Sequence, residues 1–366
     1  MHGPKFGEVK MDKFKISSCI AVLVIFSIAY LLFWPIQINP AAWTPPVLPE
    51  LIGIYEANNR LIEIERLAEG MGVGPEAVAF DKQGRIYSGL EDGNIIRLHA
   101  DGSQAEIIVN TGGRPAGLQF DSAGNLIVAD AVKGLLSVAP DGKIRELAQE
   151  AGGIPIGLAN DLDIAQDGTI YFSDASMKYA SVMKDLFEHR PYGRLLAYCP
   201  KTKTTRVLLD NLYFANGVVL STDESFILVN EMWKYRVRRY WLEGPMRGQS
   251  DIFIKNLPGL PDNITSNGKG VFWLALLHGP EGRRSWDPLL PKPFLRKIIW
   301  RLPDFLKPAP KRCGYVVGLN DRGLVVHNLQ DPAGKTYANI SSVIEHDGML
   351  YFGSIGENAI GRLPIP

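Results

Sequence analysis

Three cysteines in 366 residues, Cys19, Cys199 and Cys313, are too few and too scattered for a disulfide framework or a cysteine metal cluster. A Cys199–Cys313 bridge and two buried free thiols both stay open. Net charge is also absent, since 39 Lys and Arg meet 39 Asp and Glu. No overall field draws the chain to nucleic acid, and none is expected as a partner. A GxSxG elbow is missing, which sets aside Ser-His-Asp catalysis on an α/β-hydrolase scaffold. Long apolar runs are missing with one exception, excluding a polytopic membrane protein. A content of 46% apolar and 21% charged residues excludes intrinsic disorder and fits two domains or one large repeat fold.

The exception is ISSCIAVLVIFSIAYLLFW, Ile16 to Trp34, which holds no charge, Pro or Gly. At ~1.5 Å per residue it spans ~28 Å, close to the ~30 Å of a hydrocarbon core. A cleaved signal peptide has a shorter apolar core of ~7–15 residues and a small-x-small cleavage site, and no clear site follows here. An uncleaved single-pass anchor is therefore expected at 16–34. Lys5, Lys10, Lys13 and Lys15 precede it against Glu8 and Asp12, and no Lys or Arg follows until Arg60. The positive-inside rule makes residues 1–15 a cytoplasmic tail and puts the rest on the extracytoplasmic side, in periplasm, lumen or cell exterior. Residues 35–50 are proline-rich, which suits an extended spacer. Residues 51–366 form the folded domain.

That domain repeats itself. Six segments share a strand–polar turn–strand pattern: AVAFDKQGRIYSG, GLQFDSAGNLIVAD, LDIAQDGTIYFSD, VVLSTDESFILVNE, ITSNGKGVFWLAL and VIEHDGMLYFGS. Shorter alternating strands such as NIIRLHA and GLLSVAP lie between them. About four strands per 40–45 residues is a β-propeller blade, so an all-β, six-bladed β-propeller is predicted, with two short helical insertions. The turn anchors are Gly84, Gly124, Gly168, Glu224, Gly270 and Gly348. Eight residues before each, where the innermost strand begins near the channel, stand Glu76, Ala116, Asn160, Asn216, Asp262 and Ile340. Asn and Asp at strand starts are commonly turn residues. Four oxygen-bearing side chains in one register, one of them a glutamate, point instead to a hard-oxygen cradle suited to Ca²⁺ rather than Zn²⁺.

The segments GPEAVAFD, ANDLDIAQDGTIYFSDAS, GRLLAYCPKTKTTRVLLDNLYFANGVVLS, LPGLPDNI and EHDGMLYFGSIG resemble the strictosidine synthase-like and adipocyte plasma membrane-associated protein family. The resemblance runs from about Leu51 to the C-terminus. It implies membership of the wider group of regucalcin, gluconolactonase and paraoxonase, six-bladed propellers with a channel Ca²⁺. The group's ligands fall on Glu76, Asn160, Asn216 and Asp262, the residues found by register, with Asn263 as a fifth. A second, structural Ca²⁺ needs an acid after the glutamate. Ala77 stands there, so one metal is expected.

Strictosidine synthases use a glutamate shortly before the EHDG-like segment to condense amine with aldehyde. Lys335 to Val343, KTYANISSV, has no acid, which disfavours that lyase chemistry. The resemblance implies instead a calcium-dependent hydrolase of esters or lactones, arylesterase or lactonase in type, with Asp262 as nucleophile or general base. A non-catalytic propeller that binds a ligand or partner around a structural Ca²⁺ is the alternative. Asp130, Asp174 and Glu231, at the far ends of the second strands, form an outer acidic ring that either receives the substrate's polar groups or serves packing and loop hydrogen bonds. His278 is a proton shuttle or a rim histidine bonded to a loop. Ser176 to Pro191 is expected as a helical lid, with Tyr179, Val182, Met183, Leu186 and Phe187 at helical spacing. Residues 279–312 carry nine Lys and Arg against three acids. Their basic amphipathic stretch, Phe294 to Leu302, rests on anionic lipid or packs on the rim. Lipid contact turns the channel mouth toward the bilayer and an amphiphilic substrate. NIT at Asn263 and NIS at Asn339 match the glycosylation pattern.

Overall fold

The computed structural model describes residues 13–366, with side chains from residue 17. The expected cytoplasmic tail lies outside the described side chains. Six four-stranded antiparallel sheets follow one another around an axis. Blade 1 comprises Val78–Phe80, Ile86–Gly89, Asn94–Leu98 and Glu106–Asn110; blade 2 comprises Pro115–Phe120, Leu126–Asp130, Gly134–Val138 and Ile144–Ala148. Blade 3 comprises Ala159–Ile164, Ile170–Asp174, Gly193–Cys199 and Thr204–Leu212, and blade 4 Ala215–Leu220, Phe226–Glu231, Arg236–Trp241 and Ser250–Ile254. Blade 5 comprises Leu260–Ser266, Val271–Leu277, Gly314–Asn320 and Val325–Asp331. Blade 6 takes Ile340–His346, Met349–Ser354 and Ile360–Pro364 from the C-terminus and its outer strand, Glu65–Leu67, from the N-terminal side. The ring is thereby closed by pairing the two ends of the domain, which leaves no open inner edge.

The six inner hairpins are the six expected from the repeat. Their turns need a left-handed residue: Gly84, Gly124, Gly168, Gly270 and Gly348 have φ between +74° and +92°. Glu224 adopts φ +56° without that freedom, and its carboxylate accepts the Gln166 amide of blade 3 at 2.8 Å. Five of the six inner strands carry a register shift near their start, at Pro115/Gly117, Ala159/Leu162, Ala215/Val218, Pro261/Ile264 and Ile340/Ser342. A bulge re-aims the side chain it contains, and Asn160, Asn216 and Asp262 lie within three of these bulges.

Neighbouring blades bury apolar faces against each other, as Phe226, Leu228, Phe272, Leu274 and Val317 do between blades 4 and 5. Each such side chain contributes about 1.5–3 kcal/mol by leaving water. A further apolar cluster, including Ile38, Phe187, Phe214, Trp233, Trp286 and Ile299, forms a cover on one face of the ring.

Helix α1 runs Lys13–Phe33, and every described side chain from 17 to 30 is exposed. Among the described residues no helix is long and apolar enough to cross a membrane. Helix α2, Val182–Glu188, inserts between the second and third strands of blade 3. Its start is capped by Ser181, which accepts the Lys184 amide. Helices α3, Gly279–Trp286, and α4, Pro293–Trp300, occupy the corresponding place in blade 5. Helix α3 escapes the sequence because GPEGRRSW carries a single apolar residue.

The proline-rich segment is extended but not a free spacer. Asn39 and Ala41 donate to Glu188, and Trp43 donates to the Leu290 carbonyl. Arg296 donates to the Ala41 carbonyl and Arg283 to that of Pro46, while Arg301 reaches Leu31 and Trp34 at 2.9 and 2.7 Å. A proline-rich strand offers acceptors and few donors, and a guanidinium is the matching donor group. Two of the nine basic residues of 279–312, Arg283 and Arg296, thus face inward, while Arg284, Lys292, Lys311 and Arg312 are exposed. Arg283 and Arg296 are buried at 0% and 2% exposure, so α3 and α4 pack on the rim rather than presenting those charges to lipid. All three cysteines are free, and only Cys313 is buried.

Candidate metal centre and active site

The inner strands start close together at the covered face. Gly117 lets blades 2 and 3 approach, since a Cβ there would lie 2.7 Å from the Asn160 carbonyl oxygen. A cavity of ≈ 650 Å³ opens at this end of the axis. Glu76, Asn160, Asn216, Asp262 and His278 line its floor and wall. Val182, Met183 and Leu186 of α2, Trp286, Trp300 and residues 307–310 line the rest. The expected lid over the mouth is therefore built by α2 together with a strap from blade 5.

The four register residues are all nearly sealed from solvent, at 6%, 5%, 2% and 2% exposure for Glu76, Asn160, Asn216 and Asp262. The side-chain oxygens of Asn160 and Asn216 have no hydrogen-bond partner. An unsatisfied buried amide costs about 1–3 kcal/mol, and two on one cavity wall beside two carboxylates is the pattern of a cation cradle. Asp262 has its carboxyl pushed well above the usual range, first by burial and next by the charge of Glu76. A cation between the two acids would relieve both effects. The donor set fits Ca²⁺, which Glu76, Asn160, Asn216 and Asp262 would hold. Among the described residues no group of three or more His, Cys, Asp or Glu forms a metal site; this cradle has two acids and two carboxamides.

His278 sits in the left-handed conformation, φ +56°, at the start of α3. Its Nδ1 pairs with Asn339 Oδ1 at 3.1 Å. Burial pushes the imidazole down to about 4, so it is neutral at ordinary pH. It is thus both bonded to a loop and open to the cavity. Asn339 is engaged through its Oδ1, and Asn263 is buried, which leaves the NIT motif without an accessible side chain.

Four expected residues lie elsewhere. Asn263 lines a second cavity of ≈ 340 Å³ further along the inner strands; it adjoins Asp262 and, like Asn160 and Asn216, has a buried side-chain oxygen without a partner. Asp161, next to Asn160, lines that second cavity as well, and burial pushes its carboxyl up to about 8. Asp130, Asp174 and Glu231 are fully buried and hold backbone. Asp130 accepts the amides of Arg114, Val132 and Lys133. Asp174 accepts those of Gly157 and Leu158 and pairs with Arg194 at 2.6 Å. Glu231 accepts Tyr213 and pairs with Arg236. None of the three lines the mouth cavity, which corrects the expected substrate-binding ring: each pins the loop that leads into its blade's inner strand.

The sequence gives little sign of one further member. Arg114, two residues before the register position Ala116, donates from Nε and Nη2 to Oε2 of Glu76 at 3.0 and 2.7 Å.

Residues 53–98 match the N-terminal strictosidine synthase-like family profile, and residues 160–245 match that of strictosidine synthase. Adipocyte plasma membrane-associated protein of Bos taurus is 34% identical over 98% of this chain and 91% of its own length. The chain belongs to the strictosidine synthase-like family. Another family relative, strictosidine synthase-like 13 of Arabidopsis thaliana, is 38% identical over 57% of this chain and 50% of its own. The propeller of this strictosidine synthase-like chain is shared by a gluconolactonase from Xanthomonas campestris, with TM-score 0.61 at 15% identity over 90% of this chain and 97% of that one. It is shared too by regucalcin of Agrobacterium tumefaciens, described as a calcium-binding protein, with TM-score 0.56 at 13% identity over 84% and 94%.

Proposed function

We propose that the chain is a membrane-anchored, calcium-dependent hydrolase of esters or lactones, arylesterase or lactonase in type. The observation that carries this is the pair of unpartnered carboxamide oxygens beside two buried carboxylates at the floor of an apolar cavity. Bound there, Ca²⁺ supplies Lewis-acid polarisation of a carbonyl oxygen. Asp262 acts as nucleophile or as general base toward water, and His278, neutral and hydrogen-bonded on Nδ1, moves the proton to or from the leaving oxygen. Leu186, Phe214, Trp286 and Trp300 exclude bulk water and seat an apolar acyl or aryl group. The gluconolactonase and regucalcin neighbours support a lactone or ester as the substrate class and calcium as the ion.

The apolar run of α1 acts as the anchor, with the N-terminus cytoplasmic and the propeller on the other side. Arg301 binds the last turn of α1 beside Trp300, which also lines the cavity. That proximity to the anchor and the adipocyte plasma membrane-associated relatives support a membrane-facing mouth and an amphiphilic substrate.

The test is Asp262→Asn, compared with the parent for ester and lactone turnover, Ca²⁺ binding and thermal melting. Turnover lost with Ca²⁺ and fold retained supports the hydrolase. A variant that melts like the chelated parent, while the parent itself turns nothing over, supports a ligand-binding propeller pinned by calcium. The size and apolar lining of the cavity favour that second reading as the alternative.

A further inference from the structure

Glu76 is fixed from several sides. Its amide donates to the Gly89 carbonyl at 3.2 Å, and its own carbonyl accepts Ser341 Oγ at 2.9 Å. Both Arg114 bonds go to Oε2, and Oε1 accepts no hydrogen bond among the described residues. The arginine is itself held: Asp130 accepts its amide at 3.1 Å, and the same carboxylate takes Thr111 Oγ1 at 2.7 Å. Two neighbours, Glu91 and Asp262, add their charge to that of Glu76 around the guanidinium. The cradle therefore has a resident positive charge on one of its two acids, supplied from the blade whose register position, Ala116, carries no ligand.

We propose that Arg114 is a positioning residue of the cation cradle, which presents one oxygen of Glu76 to the ion and, as a fixed charge beside it, keeps calcium affinity low and the ion exchangeable. This rests on the calcium reading of the site. The two effects of the guanidinium oppose each other. Orientation of Glu76 favours ion binding, and like-charge repulsion disfavours it. A unit charge a few ångströms from a divalent ion outweighs the orientation of one carboxylate even at an effective dielectric constant of about 20 or more, so loss of the charge tightens binding by about tenfold or more.

The experiment is calorimetric titration of the full chain in detergent, freed of ions with chelator, with Ca²⁺ alone as the probe. Arg114→Gln removes the charge and keeps one hydrogen bond to Glu76; Arg114→Met removes both; Arg114→Lys keeps the charge. Circular dichroism confirms the fold of each, and Gln and Met serve as alternates should one of them not fold. The expected result is binding at least about tenfold tighter in the Gln and Met variants and within about threefold of the parent for Lys. A Gln variant that binds like the parent, or neutral variants that bind more weakly, would overturn the charge role while leaving the calcium site intact. A parent chain that binds no Ca²⁺ overturns the functional reading and this inference together.

Discussion

Two sets of carboxylates meet opposite fates in the same hairpins. Asp130, Asp174 and Glu231 end the second strands of blades 2, 3 and 4, and every one is taken by backbone amides or an arginine. Glu76 and Asp262 stand at the starts of first strands, flanked by carboxamides whose oxygens have no partner. Both sets are buried acids on the same end of the ring, so burial and residue type do not separate them. What separates them is the capacity left unused around them: Glu76 meets Arg114 through Oε2 alone, and the neighbouring Asn160 and Asn216 keep unpartnered oxygens. A satisfied acid holds its own fold, and an unsatisfied group in a sealed cavity points outward to a ligand.

This contrast can be broken by exchanging the consequences. The largest effect is expected from Asp262→Asn, which should lower turnover on a responsive ester or lactone by at least about 10²-fold, the usual scale for removing a base or nucleophile; steady-state kinetics with saturating Ca²⁺ would read it. Asp174→Asn should instead act on stability, since it leaves Arg194 buried without its partner, at about 3–5 kcal/mol. A denaturant melt measures this, and Ca²⁺ affinity in the surviving folded protein should match the parent. Asn160→Leu removes one unpartnered oxygen without breaking any protein hydrogen bond. It should leave the ion-free melt nearly unchanged while weakening Ca²⁺ about tenfold or more, as calorimetry would register.

The smallest effect is a titration. His278 has its pKa pushed down to about 4, chiefly by burial, with the Asn339 bond pulling it back up. Its folded value lies below the unfolded ~6.5. As pH falls from about 6.5 to 4, the unfolded chain takes up a proton that the folded chain refuses, and stability drops. NMR of the imidazole in Asn339→Ala should show a midpoint lower than the parent's. A parent midpoint near 6.5 would mean that the ring is not buried as described.

Much of this was legible in the sequence because the propeller repeats its chemistry as well as its strands. Turn glycines recur at five of the six inner hairpins, with Glu224 in the other, and counting back from these anchors reaches Glu76, Asn160, Asn216 and Asp262 without reference to three dimensions. The same counting reaches Asp130, Asp174 and Glu231, but it cannot tell which amides lie within reach of an acid, so a scaffold role and a binding role looked alike. Arg114 escapes because it sits off the register in a loop. The cover is the least legible part. Nothing in Pro35 to Pro49 signals that its carbonyls will be met by Arg283 and Arg296, more than two hundred residues later, because such pairing depends on the fold and has no periodicity.

The most direct measurement is hydrolysis by the full chain, in detergent or nanodiscs, of a panel of aryl esters and lactones, with Ca²⁺ and then with chelator. Turnover that chelator abolishes and added Ca²⁺ restores is the predicted result. Turnover indifferent to chelator, or no turnover on any member alongside a melting temperature that Ca²⁺ does not move, would contradict the account.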